Sequence, residues 1–138
     1  MEQNAFGILI ERWPLAAEET CMADEKIVDR SFEFAVRIIR CYQFLSSTHK
    51  EFVLSKQLLR SGTSIGANVT EAQQAQSKKD FLAKMSIALK EASETKYWIK
   101  LLIATGYLTE EKSEGIYREC VIIEKTLSNI VKTTKKKI

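Results

Sequence analysis

The sequence predicts an all-α fold, an antiparallel up-down-up-down bundle of four helices. Three observations carry this. Apolar residues recur at alternating steps of three and four along four separate stretches. The connectors between those stretches are short and polar, which for helices implies antiparallel neighbours. The 138 residues hold 5 Gly and 1 Pro, too few turn-formers for a β-sandwich. The length suits one domain with a core of its own.

The first 22 residues, MEQNAFGILIERWPLAAEETCM, hold Pro14, Gly7 and no sustained period. They read as an appendage to a domain at 23–132, which is followed by a basic tail at 133–138. Met22 stands just before the periodic region, so the appendage is expected to be an optional arm or the product of an upstream start site.

The first helix is expected to be capped by Asp24 or Asp29 and to run to about Ser47. It carries two adjacent seams. One is Ile27, Phe34, Ile38, Cys41 and Leu45; the other is Val28, Phe32, Ala35, Ile39 and Tyr42. That stripe is wider than one partner helix requires, and Arg30, Glu33, Arg37 and Arg40 fall to the solvated face. After SSTHKEF, a second helix starts near Phe52 with the seam Leu54, Leu58, Ser61, Ile65, Asn68, Ala72 and Ala75.

Ser77 with Asp80 three residues on makes a capping-box-like start for a third helix, about Lys78 to Thr105. Its seam is Phe81, Met85, Ala88, Ala92, Thr95, Ile99 and Leu102, out of phase with the preceding one, so the two are separate helices. Gly106 supplies a left-handed stop. Thr109, Glu110 and Glu111 then place a cap and two negative charges at the positive end of a fourth helix. That helix carries Ile116, Cys120, Ile123, Leu127 and Ile130 before the sequence passes into KTTKKKI.

The stretch RSGTSIGANVTEA at 60–72 resembles a phosphate-cradling loop at first sight. A P-loop needs GxxxxGK[ST] after an apolar strand; here Gly62 and Gly66 are four apart, no Lys follows, and the period before them is helical. The helical reading is mechanical: Ser61, Gly62, Ile65, Gly66 and Asn68 thin one face so that another backbone can approach. Each Gly costs about 0.5–1 kcal/mol against Ala in a helix, which close packing must offset.

Bundle metal sites pair Glu and His at i, i+3, and the single histidine, His49, lies in a connector without such a carboxylate. No nucleophile–base pair stands out, so the reading is of a protein without catalytic residues, metal or cofactor. Glu71, Glu91 and Glu94 lie near the seams and suggest a structural polar network with Asn68, Ser61 or Thr95, balanced by Arg60 or Lys90. The three cysteines, Cys21, Cys41 and Cys120, are odd in number and widely spaced, which fits a reducing cytoplasm rather than a disulfide framework. No apolar run approaches the roughly 20 residues that span a bilayer, and no signal peptide is evident.

Charge is uneven. Residues 1–22 carry four Glu against Arg12 alone, so a net charge of +3 leaves +6 for the remainder. Lys26, Arg30, Arg37 and Arg40 on the first helix, with Lys132, Lys135, Lys136 and Lys137 at the end, are the candidate phosphate-attracting residues for RNA or DNA. The competing reading is a solvated surface partly paired through Glu33 and Arg37, and a sequence pI near 8.7 for one chain favours it.

The run SKQLLRSGTSIGANVTEAQQAQSKKDFLAKMSIALKEASETKYWIKLL at 55–102, with SFEFAVRII at 31–39 and the last helix, resembles a bacterial four-helix-bundle family. The family takes its name from proteins encoded in intervening sequences of large-subunit ribosomal RNA genes. The resemblance covers essentially residues 24–132 and implies a left-handed bundle assembled as a ring-shaped homopentamer, with no catalytic residues to transfer. Similar proteins accompany reverse transcriptases in diversity-generating retroelements, are basic, and bind nucleic acid and the polymerase. Five copies of a +6 body would add their phosphate attractions. The resemblance therefore implies a homo-oligomer that binds RNA or DNA, with a reverse transcriptase or another protein as a further partner. The alternative is a protein–protein interaction scaffold with no nucleic-acid role.

Overall fold

The computed structural model describes the backbone of residues 23–138 and the side chains of residues 27–138. The N-terminal appendage lies outside the described residues. Within them there are four helices and no strand: α1 (Ala23–Ser47), α2 (Leu54–Ala72), α3 (Lys78–Ala104) and α4 (Glu110–Lys136). Helices adjacent in sequence pack together and α4 closes on α1, whereas the diagonal pairs α1–α3 and α2–α4 do not approach. One core fills the space between the four.

In α1 the first seam, Ile27, Phe34, Ile38, Cys41 and Leu45, has no exposed surface at all. The second seam is only partly covered: Val28, Ala35 and Tyr42 are half-buried, while Phe32 and Ile39 are 57% and 38% exposed. The helix already begins at Ala23, so Asp24 and Asp29 lie inside it and neither is its cap.

The start of α2 uses a residue that Ser/Thr/Asp/Asn cap rules pass over. The Glu51 carboxylate accepts from the backbone N–H groups of Val53, Leu54 and Ser55 at 3.1, 3.0 and 2.7 Å. These are donors that the first helical turn cannot satisfy internally. Partial desolvation pushes the Glu51 carboxyl up, but the three amides outweigh it and hold it below the ordinary value. The helix stops at Ala72, and Ala75 lies beyond it. Its buried face runs Leu58, Ser61, Gly62, Ile65, Val69 and Ala72. Val69, not Asn68, therefore takes the inward position; Asn68 turns aside and donates to the Ser64 carbonyl at 2.8 Å.

The other boundaries follow the expected chemistry. Ser77 Oγ accepts from the Asp80 N–H at 3.0 Å, and Asp80 Oδ2 accepts from the Gln76 N–H at 3.1 Å. At the far end of α3, Gly106 takes φ +85°, and the N–H groups of Gly106 and Tyr107 reach the Ile103 and Leu102 carbonyls. That is the Schellman arrangement, which needs a residue without Cβ strain at the turn. Thr109 Oγ1 accepts from the Lys112 N–H at 3.1 Å to open α4. Met85, Ala88, Ala92, Thr95, Ile99 and Leu102 of α3 are fully buried. In α4 the inward set is Ile116, Cys120, Ile123, Leu127 and Val131, with Ile130 half-buried beside it. The helix continues to Lys136, so most of the basic KTTKKKI segment is helical. Lys135 and Lys136 sit where the helix dipole favours cations.

Candidate functional site

The thinned stretch of α2 admits α1. A β-carbon built on Gly62 would stand 2.8 Å from Ile38 Cγ2, and one on Gly66 would stand 3.3 Å from the Ser31 carbonyl oxygen. Ser61 is buried on the opposite flank, where it accepts a 2.9 Å hydrogen bond from Thr95 Oγ1 of α3. The small residues therefore serve contacts between helices, and the stretch is helical from end to end.

The polar residues near the seams form separate groups. Arg60 bridges Glu91 and Glu94, and Trp98 Nε1 donates to Glu94 at 2.9 Å. Glu71 pairs instead with Lys84 at 2.9 Å, and Asn68 joins neither. Lys96 and Ser93 both bond Glu124. The α2–α3 and α3–α4 seams thus carry their own exposed or half-exposed ion pairs. Pairs of this kind contribute about 0–1 kcal/mol each to stability.

Two of the α1 cations, Arg30 and Arg37, turn toward α4 rather than lying on a solvated face. Arg30 Nε donates to Glu119 Oε2 of α4 at 2.6 Å, with the Glu119 side chain only 7% exposed. Arg37 is buried at 9% exposure, over Gly115, where a β-carbon would come within 2.7 Å of its Nη2. Burial pulls the Arg37 guanidinium down from its ordinary value, and the Glu119 charge opposes that shift. Both arginines therefore hold α1 to α4. Arg40 donates to Gln43 at 3.1 Å, and Lys26 lies among the side chains outside the described residues. Glu119 was not foreseen, because its partner is 89 residues away and no local pattern announces it.

The α4 lysines are different. Lys132, Lys135, Lys136 and Lys137 are all exposed, and among the described residues no carboxylate pairs with them. Lys78 and Lys137 line one cleft, so the start of α3 brings Lys78 and Lys79 to the same end of the molecule. In the sequence those two lysines stand only at a helix start. The result is a pole of six exposed ammonium groups.

Among the described residues, no cluster of three or more His, Cys, Asp or Glu side chains is placed to hold a metal. Cys41 and Cys120 are buried, and burial pushes both thiols up to about 12. His49 is stacked edge-on between Phe44 and Tyr107, with ring centroids 5.3 and 5.8 Å away. No helix among the described residues is long and apolar enough to cross a membrane.

Comparison with known proteins places these features in a family. No curated protein matches the chain. A crystal structure of a protein of unknown function from the S23 ribosomal protein family of Bacteroides thetaiotaomicron is 57% identical, covering 80% of this chain and 99% of that one, with a TM-score of 0.79. The sequence model of the 23S rRNA-intervening sequence proteins matches residues 23–129, the four helices almost entire. On that match, the chain belongs to the 23S rRNA-intervening sequence protein family.

Proposed function

We propose that the protein is a non-enzymatic, oligomeric helical bundle that binds RNA or DNA through the phosphate backbone, without sequence preference. The observation that carries this reading is the pole of exposed lysines, Lys78, Lys79, Lys132, Lys135, Lys136 and Lys137, unpaired among the described residues. Lysines without carboxylate partners attract polyanions and gain by releasing their counterions. Arg30 and Arg37, engaged with α4, are no part of this surface.

The bundle in this reading is left-handed and alternates in direction. Ile38 faces Gly62 while Ser31 faces Gly66, and Arg60 reaches Glu94 while Glu71 reaches Lys84. Arg30 meets Glu119 while Arg37 meets Gly115. Each pair crosses in sequence order, as antiparallel neighbours require. Self-association into a ring-shaped homopentamer would cover the open half of α1, where Phe32 and Ile39 are exposed, and would gather five lysine poles. A cytoplasmic protein that meets a reverse transcriptase or another protein fits such an assembly.

A second reading, an interaction scaffold for another protein, is favoured by the exposed rings of Phe32 and Tyr97. Fluorescence anisotropy with RNA and duplex DNA at rising salt separates the two. Nucleic-acid binding predicts an affinity whose logarithm falls linearly with the logarithm of salt concentration, with a slope of about −0.9 per phosphate for duplex and about −0.7 for single strands. No binding at low salt favours the scaffold.

A further inference from the structure

We propose that the cleft between the start of α3 and the end of α4 holds one nucleotide of a single-stranded nucleic acid, its base against Phe81 and its flanking phosphates between Lys78 and Lys137. The proposal rests on the nucleic-acid reading above and names the part of a strand that the pole grips. The cleft has a volume of about 520 Å³, within the roughly 300–1,000 Å³ of small-ligand sites. Its lining is mixed. Phe81 and Ile130 are half-buried and give it an apolar side, Asn129 and Thr133 are exposed polar groups, and Lys78 and Lys137 are exposed cations.

That combination fits an unpaired nucleotide better than other polyanions. An aromatic face is useful to a base only when the base is out of a duplex. An Asn amide both donates and accepts, so Asn129 can meet a base edge without demanding one base. The two lysines neutralise phosphates but carry no sequence information. A polyanion with no ring, such as polyglutamate, would use the lysines and leave the Phe81 ring without a stacking partner. The cleft at the other end of α3 makes the contrast: it is lined by Lys100 with Glu110 and Glu114, and the two carboxylates would repel a phosphate.

The test compares short labelled oligouridine with duplex DNA of equal charge, using the full chain. Phe81→Leu keeps apolar bulk and removes the ring; Asn129→Leu with Thr133→Leu fills the cleft from exposed positions, and circular dichroism checks that each variant is folded. Either change should weaken oligouridine binding by about fivefold to hundredfold and alter duplex binding by less than about twofold. Unchanged oligouridine binding in both folded variants overturns the cleft while leaving lysine-driven binding intact. Wild-type protein that binds neither probe overturns both proposals. Polyglutamate of equal charge that binds the wild type as tightly as oligouridine, and loses the same factor in both variants, would assign the cleft to an acidic protein segment and overturn the nucleotide.

Discussion

Ile38 covers Gly62 so closely that a β-carbon at position 62 would lie 2.8 Å from Ile38 Cγ2 and 3.2 Å from Ile38 Cβ. The second contact is to the stiff branch point of a fully buried side chain, so rotation of a flexible tip does not relieve it. Gly62→Ala should gain about 0.5–1 kcal/mol of helix propensity yet lose about 1–3 kcal/mol to overpacking, for a net destabilisation. Gly66→Ala meets the Ser31 carbonyl at 3.3 Å and should cost less. Urea denaturation should rank the variants in that order, and Ile38→Ala, which removes the fully buried Cγ1 and Cγ2 that crowd position 62, should cost less in the Gly62→Ala background than in the wild type.

A second expectation concerns Glu119, the anion that faces Arg30 and the buried Arg37. Glu119→Leu leaves a buried guanidinium without its main counter-charge, at a cost of about 3–5 kcal/mol. Replacing Arg37 by Leu in the same chain removes that charge as well. Thermal unfolding should therefore find the double variant more stable than Glu119→Leu alone.

Acid should weaken the fold through Glu51 and Glu124, whose folded-state carboxyls lie below the ordinary value of 4.5. For each, desolvation acts the other way and is outweighed: by backbone amides at Glu51, by Lys96 and Ser93 at Glu124. Their contribution is present above the ordinary value and is lost as pH falls through the folded value. Urea midpoints between about pH 7 and about pH 3 should fall, and Glu51→Gln should flatten the fall because Gln has no charge to lose. Lys96 has the opposite sign: its raised value gives stability that is complete below 10.5 and disappears at higher pH.

The buried thiols give a further check. In a Cys21→Ser background, a thiol reagent at about pH 8 should label neither Cys41 nor Cys120 in the native protein and both in denaturant, because the reactive form is the thiolate. Rapid native labelling would contradict the packing described for α1 and α4.

The helices were legible because burial is periodic. Ile27 to Leu45 in α1 and Met85 to Leu102 in α3 sit inward as their spacing predicts. A strict heptad departs from the buried seam toward the ends of α2 and α4. Val69 lies eleven residues after Leu58, and Val131 eleven after Cys120, which follows the natural turn of the helix more closely than repeated sevens do. Asn68 and Ile130 each occupy the position one residue earlier. The candidate site was less legible. Periodicity says which side of α1 is polar, but not that α4 offers Glu119 and Gly115 there to bury Arg37. Likewise Lys78 and Lys79 join the α4 lysines only because the ends of two helices meet.

Nucleic-acid binding through the lysine pole is tested by the salt dependence of RNA binding by the wild-type chain and by a variant with Lys132, Lys135, Lys136 and Lys137 changed to Ala. Lysine-driven phosphate contact predicts binding at low salt with a linear log–log slope, and in the variant a weaker affinity and a slope reduced by about 0.7 for each phosphate contact removed. Wild-type protein with no affinity at low salt, or a variant with unchanged affinity and slope, would contradict it.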